Sequence, residues 1–171
     1  MDGKEMETEK LYKNGVLIGE AEFDFVDNCR VLASRKPKLM QMKADAKADG
    51  VNLTLASSWR TFDEQLFLRR QNVIDKSKVN DLPYLKTASH TLFKPYTGKP
   101  GFGVHNRGEA DDWNVTGLPK SYAWLVKNAI KYGMVRTVQS ERWHWEDLPN
   151  VGQFAYIPKT DPSWDGLTVT L

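Results

Sequence analysis

Apolar positions along the chain fall into short runs whose period changes several times. In KLYKNGVLIGEAEFDF, Asn14-Gly15 stands between two apolar runs, the pattern of a tight hairpin turn. KLMQMKADAKADG is rich in helix formers, and Gly50 sits where a C-terminal cap belongs. VNLTLAS alternates Val51, Leu53 and Leu55 with polar residues and predicts a strand. Thr61 followed by Glu64 makes a capping-box pattern, and the helix it opens carries Phe62, Leu66 and Val73, with Phe67 and Ile74 beside them. LPKSYAWLVKNAIKYG predicts another helix: Pro119 lies near its start, Leu125, Ala129 and Tyr132 or Ile130 share a face, and Gly133 closes it. MVRTV and RWHWE are strand-like, and GVHNRGEADDWNV reads as a strand or turn segment according to where its glycines bend it.

Two regions have no period. Lys76 to Pro100 contains Pro83, Pro95, Gly98 and Pro100 and reads as a long, partly ordered excursion of the kind that often serves as a lid. The tail from Asn150, with Pro158 and Pro162, reads as loop. Helices and strands are mixed without a regular βαβ alternation, which predicts an α+β domain with a small, largely antiparallel sheet. A length of 171 residues suits one domain spanning 1–171, with an N-terminal hairpin extension and a loop-rich C-terminal tail.

Composition narrows the function classes. Apolar residues make up 40% and charged residues 27%, enough for a core in a soluble protein. A net charge of +2, with acids and bases interspersed, gives no reason to expect a nucleic-acid partner, although it is compatible with an anionic surface such as a cell wall. The single cysteine, Cys29, rules out an internal disulfide and a multi-cysteine zinc site, and reads as a buried thiol. No apolar run approaches the roughly 18 residues of a membrane span, and MDGKEMETEK carries no secretory h-region. The chain is therefore expected to be made in the cytoplasm without a signal peptide.

Zinc takes imidazole and carboxylate ligands, and a catalytic site uses three of them, leaving one position open. The histidines are His90, His105 and His144. His105 precedes Asp112 by seven residues in H-x-x-G-x-A-x-D, where Gly108 and Ala110 allow a close turn; Asp111 is the rival ligand and reads as a solvated or outer acid. His144 stands in ERWHWED between Trp143 and Trp145, rings that exclude water and hold an imidazole in place. Glu141 is three residues earlier, a candidate general base. On a regular strand, however, Arg142, His144 and Glu146 share a face, so Glu141 reaches His144 only if the chain bends between them; without the bend Glu146 is the better candidate. In SSWRTFDEQ, Arg60 ends the predicted strand and Gln65 lies one turn into the next helix, placing a guanidinium where it can hold a carboxylate or support an oxyanion. His90 reads as a surface or lid residue, Trp59, Trp113 and Trp124 as core, and Arg69 and Arg70 as a solvated helix face.

Together, GVHNRGEADD, ERWHWE and SSWRTFDEQ resemble the zinc peptidases of peptidoglycan stem peptides: VanY-type D-Ala-D-Ala carboxypeptidases, VanX-type dipeptidases and phage L-Ala-D-Glu endolysins. The resemblance covers about residues 39–151. It implies the Hedgehog/DD-peptidase-like α+β fold, one Zn2+ held by His105, Asp112 and His144, and Glu141 as catalytic base in preference to Glu146. It gives Arg60 a catalytic and substrate-binding role and Gln65 a substrate-binding one. The family serine two residues before the first histidine is Gly103 here, which leaves metal binding intact and changes local hydrogen bonding. The expected function is hydrolysis of a D-amino-acid-containing amide in peptidoglycan by a monomer, D-Ala-D-Ala carboxypeptidase-like. An L-Ala-D-Glu endopeptidase and a non-catalytic module that keeps the zinc fold are the alternatives. A phage lysin would reach the wall through a breached membrane; otherwise the enzyme stays in the cytoplasm.

Overall fold

The computed structural model describes residues 7–138 and 140–147. The chain opens with a three-stranded antiparallel meander, β1 (Thr8–Lys13), β2 (Val16–Val26) and β3 (Cys29–Leu32). The expected Asn14-Gly15 turn joins its first two strands, and both residues have positive φ, 51° and 78°, as a two-residue hairpin turn of matching twist requires. A second such turn, Asp27-Asn28 (φ 50° and 63°), extends the hairpin into the meander. Helix α1 (Lys36–Ala48) follows, and Gly50 (φ 77°) closes it.

The strand expected over Val51–Ser57 is shorter than its alternation suggested. Only β4 (Leu55–Ser57) enters a ladder, although Leu53 and Leu55 are both buried. Thr61 and Glu64 form the reciprocal capping box of α2 (Phe62–Asn72). This helix departs from its apolar pattern: Phe67 and Ile74 are exposed, and the residues it buries are Gln65 and Arg69.

Burial of Arg69 explains the 76–100 excursion, which is more ordered than its lack of period implied. It contains two short 3-10 turns and α3 (Leu82–Thr87). The Arg69 guanidinium, far from being solvated, donates to the carbonyls of Thr97, Gly98, Leu85 and Ala88 at 2.9–3.0 Å and lies over the Phe93 ring. Around it Val73, Leu85 and Phe93 form a small apolar cluster. Four backbone carbonyls of an irregular segment are thus gathered by one side chain.

A 3-10 turn at Val104–Arg107 leads into β5 (Ala110–Trp113); then come α4 (Pro119–Asn128), β6 (Met134–Arg136) and β7 (His144–Asp147). Strands β4, β5, β7 and β6 form, in that order, a four-stranded antiparallel sheet. Leu39, Met42 and Ala46 of α1 and Trp124 and Leu125 of α4 pack with Leu55, Trp113 and Trp145 of the sheet, and Val26 and Val31 of the meander join the same core. The fold is α+β with antiparallel sheets, as expected. Trp59, Trp113 and Trp124 are all buried, whereas Cys29 is only half-buried, contrary to the expectation of a core thiol. No helix among the described residues is long and apolar enough to cross a membrane. The expected loop-rich tail lies outside the described residues.

Candidate active site

Sheet register builds the site. Asp112 on β5 pairs with Ser57 of β4 on one side and His144 of β7 on the other, so these residues form one row across three strands. Directly opposed residues in an antiparallel pair bring their side chains close together. The turn before β5 returns His105 to the same point. Gly108 (φ 68°) makes that return possible, and a Cβ there would lie 2.6 Å from Leu32 Cγ.

Three ligand atoms converge. His105 Nε2 lies 3.2 Å from Asp112 Oδ1 and 3.1 Å from His144 Nδ1, and His144 Nδ1 lies 3.1 Å from Asp112 Oδ1. Zinc–ligand bonds of about 2.0–2.1 Å in a tetrahedron place ligand atoms about 3.3 Å apart, so this triangle fits one face of a zinc site. The histidines use different ring nitrogens, for a physical reason. Nδ1 of His105 is 2.7 Å from the Ser58 carbonyl, which only accepts, so Nδ1 donates and Nε2 is left with its lone pair. On His144 the roles are reversed: Nε2 meets the Glu146 carboxylate at 2.9 Å and Nδ1 faces the triangle.

Charge favours a cation at the centre. Burial works against a protonated His144, but hydrogen bonds to Asp112 and Glu146 outweigh it and raise its pKa to about 9. Burial likewise opposes ionisation of Asp112, yet hydrogen bonds from the two histidines hold it well below the usual carboxylate range. A pocket that stabilises positive charge between two imidazoles and a carboxylate suits a divalent metal. His105, Asp112 and His144 form the one metal-capable cluster found among the described residues.

Glu141 stands beside the triangle. Its Oε2 is 3.9 Å from His144 Nδ1, and its side chain is 39% exposed on the cleft. Residues 141–143 turn before β7 begins at His144, and the His144 N–H donates to the Glu141 carbonyl. This is the bend that sequence alternation required. Glu146, on the strand face shared with His144, meets the far nitrogen of that ring instead.

Arg60 forms the other wall. Its guanidinium donates to Gln65 Oε1 (2.9 Å) and Ser57 Oγ (3.1 Å) and lies 3.6 Å from Asp112 Oδ2. Burial lowers the Arg60 pKa while the charges of Asp112, Glu64 and Glu141 oppose that shift. Gln65 in turn donates to the Gly98 carbonyl at 2.9 Å, tying Arg60 to the 76–100 excursion. The cleft, of about 480 Å³, is lined by Arg60, Gln65, Tyr96, Glu141, Trp143 and the three candidate ligands. Gly103 also lines it with ordinary dihedrals (φ −72°, ψ 156°), and a Cβ there would meet only Asn106 Oδ1 at 3.6 Å, so the backbone does not demand glycine. His90 is exposed and stacks edge-on against Tyr96, outside this cleft.

Asp111 is neither solvated nor in the triangle. Strand alternation turns it to the opposite side of β5, where Arg35 binds it through two nitrogens (2.6 and 3.1 Å) and Ser58 Oγ donates to it at 2.6 Å. Arg35 also pairs with Asp147. The backbone of Ser58, held this way, supplies the carbonyl that orients His105. Arg35 lies in no motif, and nothing in the SSWRTFDEQ or ERWHWED segments marks Ser58 or Asp147 as its neighbours; only the fold brings the three together.

The description of the VanY D-alanyl-D-alanine carboxypeptidase family matches residues 30–149. A curated D-alanyl-D-alanine carboxypeptidase from Enterococcus faecalis is 28% identical over 124 residues, covering 64% of this chain; the match spans 45% of the relative's own length. Among solved structures, a zinc complex of the D,D-pentapeptidase VanY from a VanB-type vancomycin-resistance cassette aligns with a TM-score of 0.59 at 26% identity, covering 80% of this chain and 85% of the other. The complex of VanYB with D-alanine-D-alanine gives the same TM-score at 24% identity, covering 80% and 84%, and shows the fold.

Proposed function

From the premise that the chain belongs to the VanY D-alanyl-D-alanine carboxypeptidase family, we propose that it is a zinc-dependent carboxypeptidase removing the terminal D-alanine from peptidoglycan peptides that end in D-Ala-D-Ala. The observation that carries this reading is the triangle of His105 Nε2, Asp112 Oδ1 and His144 Nδ1, with edges of 3.1–3.2 Å and Glu141 at its side. The VanY relative that binds Zn(II) supports the choice of metal, and VanYB with D-alanine-D-alanine supports the substrate class.

In this reading His105, Asp112 and His144 hold one zinc ion. Zinc held there supplies Lewis acidity, making water nucleophilic at neutral pH and polarising a carbonyl. Glu141, half exposed at the cleft, accepts the proton of the attacking water at a carboxylate oxygen and passes it to the departing amine of D-alanine. Arg60, fixed by Gln65 and Ser57, presents its guanidinium to the scissile carbonyl as negative charge builds on its oxygen. Gln65 acts through Arg60, holding it and linking it to Gly98. Trp143, 39% exposed, lines the same cleft, whereas the Trp145 ring is buried in the core.

The test is digestion of purified muropeptides with mass-spectrometric analysis, with and without a chelator. Chelator-sensitive release of a single terminal D-alanine is expected. Separation of L-Ala from D-Glu would replace this reading with an endolysin-type endopeptidase. Full zinc occupancy without any product would replace it with a non-catalytic wall-binding module.

A further inference from the structure

A second groove lies on the far side of Arg60 from the metal-capable triangle. At about 620 Å³ it is larger than the candidate active-site cleft, and Arg60 and Leu68 line both, so the two adjoin at these side chains. Its floor is one run of chain, Ala56 to Arg60. Five consecutive residues at a rise of about 3.3 Å each span at most about 13 Å, the length of a peptide of about four extended residues. Its walls are β2–β3 on one side and α2 on the other, and each carries an exposed ring at the rim: Phe25, 50% exposed, and Phe67, 56% exposed.

We propose that this groove is a peptide subsite. It holds the substrate chain on the N-terminal side of the scissile bond, between Phe25 and Phe67, with a cationic side chain of that peptide against Asp63. The proposal rests on the carboxypeptidase reading above. A carboxypeptidase leaves one residue on the C-terminal side of the cut, so a groove running away from the site has only the N-terminal chain to hold.

Charge selects the side chain. Arg30 and Glu64 neutralise each other through contacts of 2.8 and 2.9 Å, and Arg60 is engaged by Gln65, Ser57 and Asp112. Asp63 is exposed in the groove and has no ion-pair or hydrogen-bond partner among the described residues. The groove therefore offers two apolar rims and one unpaired carboxylate, which fits a peptide with a basic residue rather than an acidic ligand. Phe25, Asn28 and Cys29 precede residue 30, where the family match begins, so part of one wall is built by the N-terminal meander of this chain.

Hydrolysis of four substrates tests this: N-acetyl-D-Ala-D-Ala, a pentapeptide ending in Lys-D-Ala-D-Ala, its norleucine analogue, and the disaccharide-linked pentapeptide. For Phe67→Ser, loss of ring burial is expected to lower the kcat/KM ratio of pentapeptide to acetyl dipeptide about tenfold. For Asp63→Asn, the ratio of lysine to norleucine pentapeptide is expected to fall about two- to fivefold, as for a rim ion pair. Unchanged ratios in both variants overturn the proposal. A loss seen only with the disaccharide-linked substrate also overturns it, assigning the groove to sugar. Calorimetric binding of the lysine pentapeptide to zinc-loaded Glu141→Ala, with and without Phe67→Ser, separates the groove from the catalytic reading. Binding weakened by Phe67→Ser keeps the groove even if wild-type protein turns nothing over, and absence of binding removes it.

Discussion

The Glu146 carboxylate meets His144 at Nε2, 2.9 Å away, while the opposite nitrogen of the same ring lies 3.1 Å from Asp112 Oδ1. One acid therefore fixes which nitrogen of His144 carries a hydrogen, and the other shares the space into which its lone pair points. Removing an orienting partner of this kind typically costs about 10–100-fold in metal affinity. Glu146→Ala is expected to weaken zinc binding by about that factor, read by competition with a chromophoric chelator. Glu146→Gln, whose amide oxygen still accepts, is expected to recover part of the loss. Equal affinity in all three proteins would remove Glu146 from the site's support.

Glu141 is expected to behave oppositely. It sits 3.9 Å from His144 Nδ1, is partly exposed, and is not one of the three converging ligands. Glu141→Ala should keep one zinc per chain and change stability by less than about 0.5 kcal/mol, as for a surface substitution. Turnover should fall by about 10²–10⁴-fold, the range for loss of a general base. Full activity with zinc bound would return the base to another group.

The division of labour between these two glutamates shows what the sequence carried and what it did not. His105, Asp112, His144, Glu141, Arg60 and Gln65 were all legible because each lies in a short motif, and the structure gathers all six around one cleft. Alternation alone favoured Glu146, because a two-residue period cannot register the turn at 141–143 that starts β7 at His144. The supporting groups were hidden for a different reason. Arg35 reaches Asp111 across 76 residues of sequence and Asp147 across 112, and no local pattern encodes such a pairing. Arg69 misled because charge on a helix usually marks a solvated face, whereas here it satisfies the carbonyls of a segment too irregular to pair them itself.

Asp111 is expected to matter for stability, through Arg35. Both side chains are almost fully buried, and the pair is bidentate. Asp111→Ala strands the guanidinium with Asp147 alone and leaves Ser58 Oγ only the more distant Ala110 carbonyl, at 3.4 Å, as acceptor. Breaking one side of a buried pair typically costs about 3–5 kcal/mol, so a clear fall in denaturant midpoint without a change in m-value is expected. If the loss were below about 1 kcal/mol, the pair would count as no more than a surface bridge.

Arg69 leads to a local prediction. Its guanidinium donates to Leu85, Ala88, Thr97 and Gly98, and the Gly98 carbonyl also accepts from Gln65, which holds Arg60. Arg69→Met keeps much of the side-chain volume and the contact with Phe93 but leaves those carbonyls without their shared donor. Each unsatisfied buried acceptor costs about 1–3 kcal/mol, a penalty the 82–98 segment can avoid by opening to water. Amide hydrogen exchange should therefore speed up across 82–98 in Arg69→Met, while β5 and β7 keep their protection. Because Gln65 loses its fixed partner when Gly98 moves, kcat is expected to fall with little change in zinc affinity. Faster exchange spread evenly over the whole chain would show that Arg69 supports global stability rather than this segment.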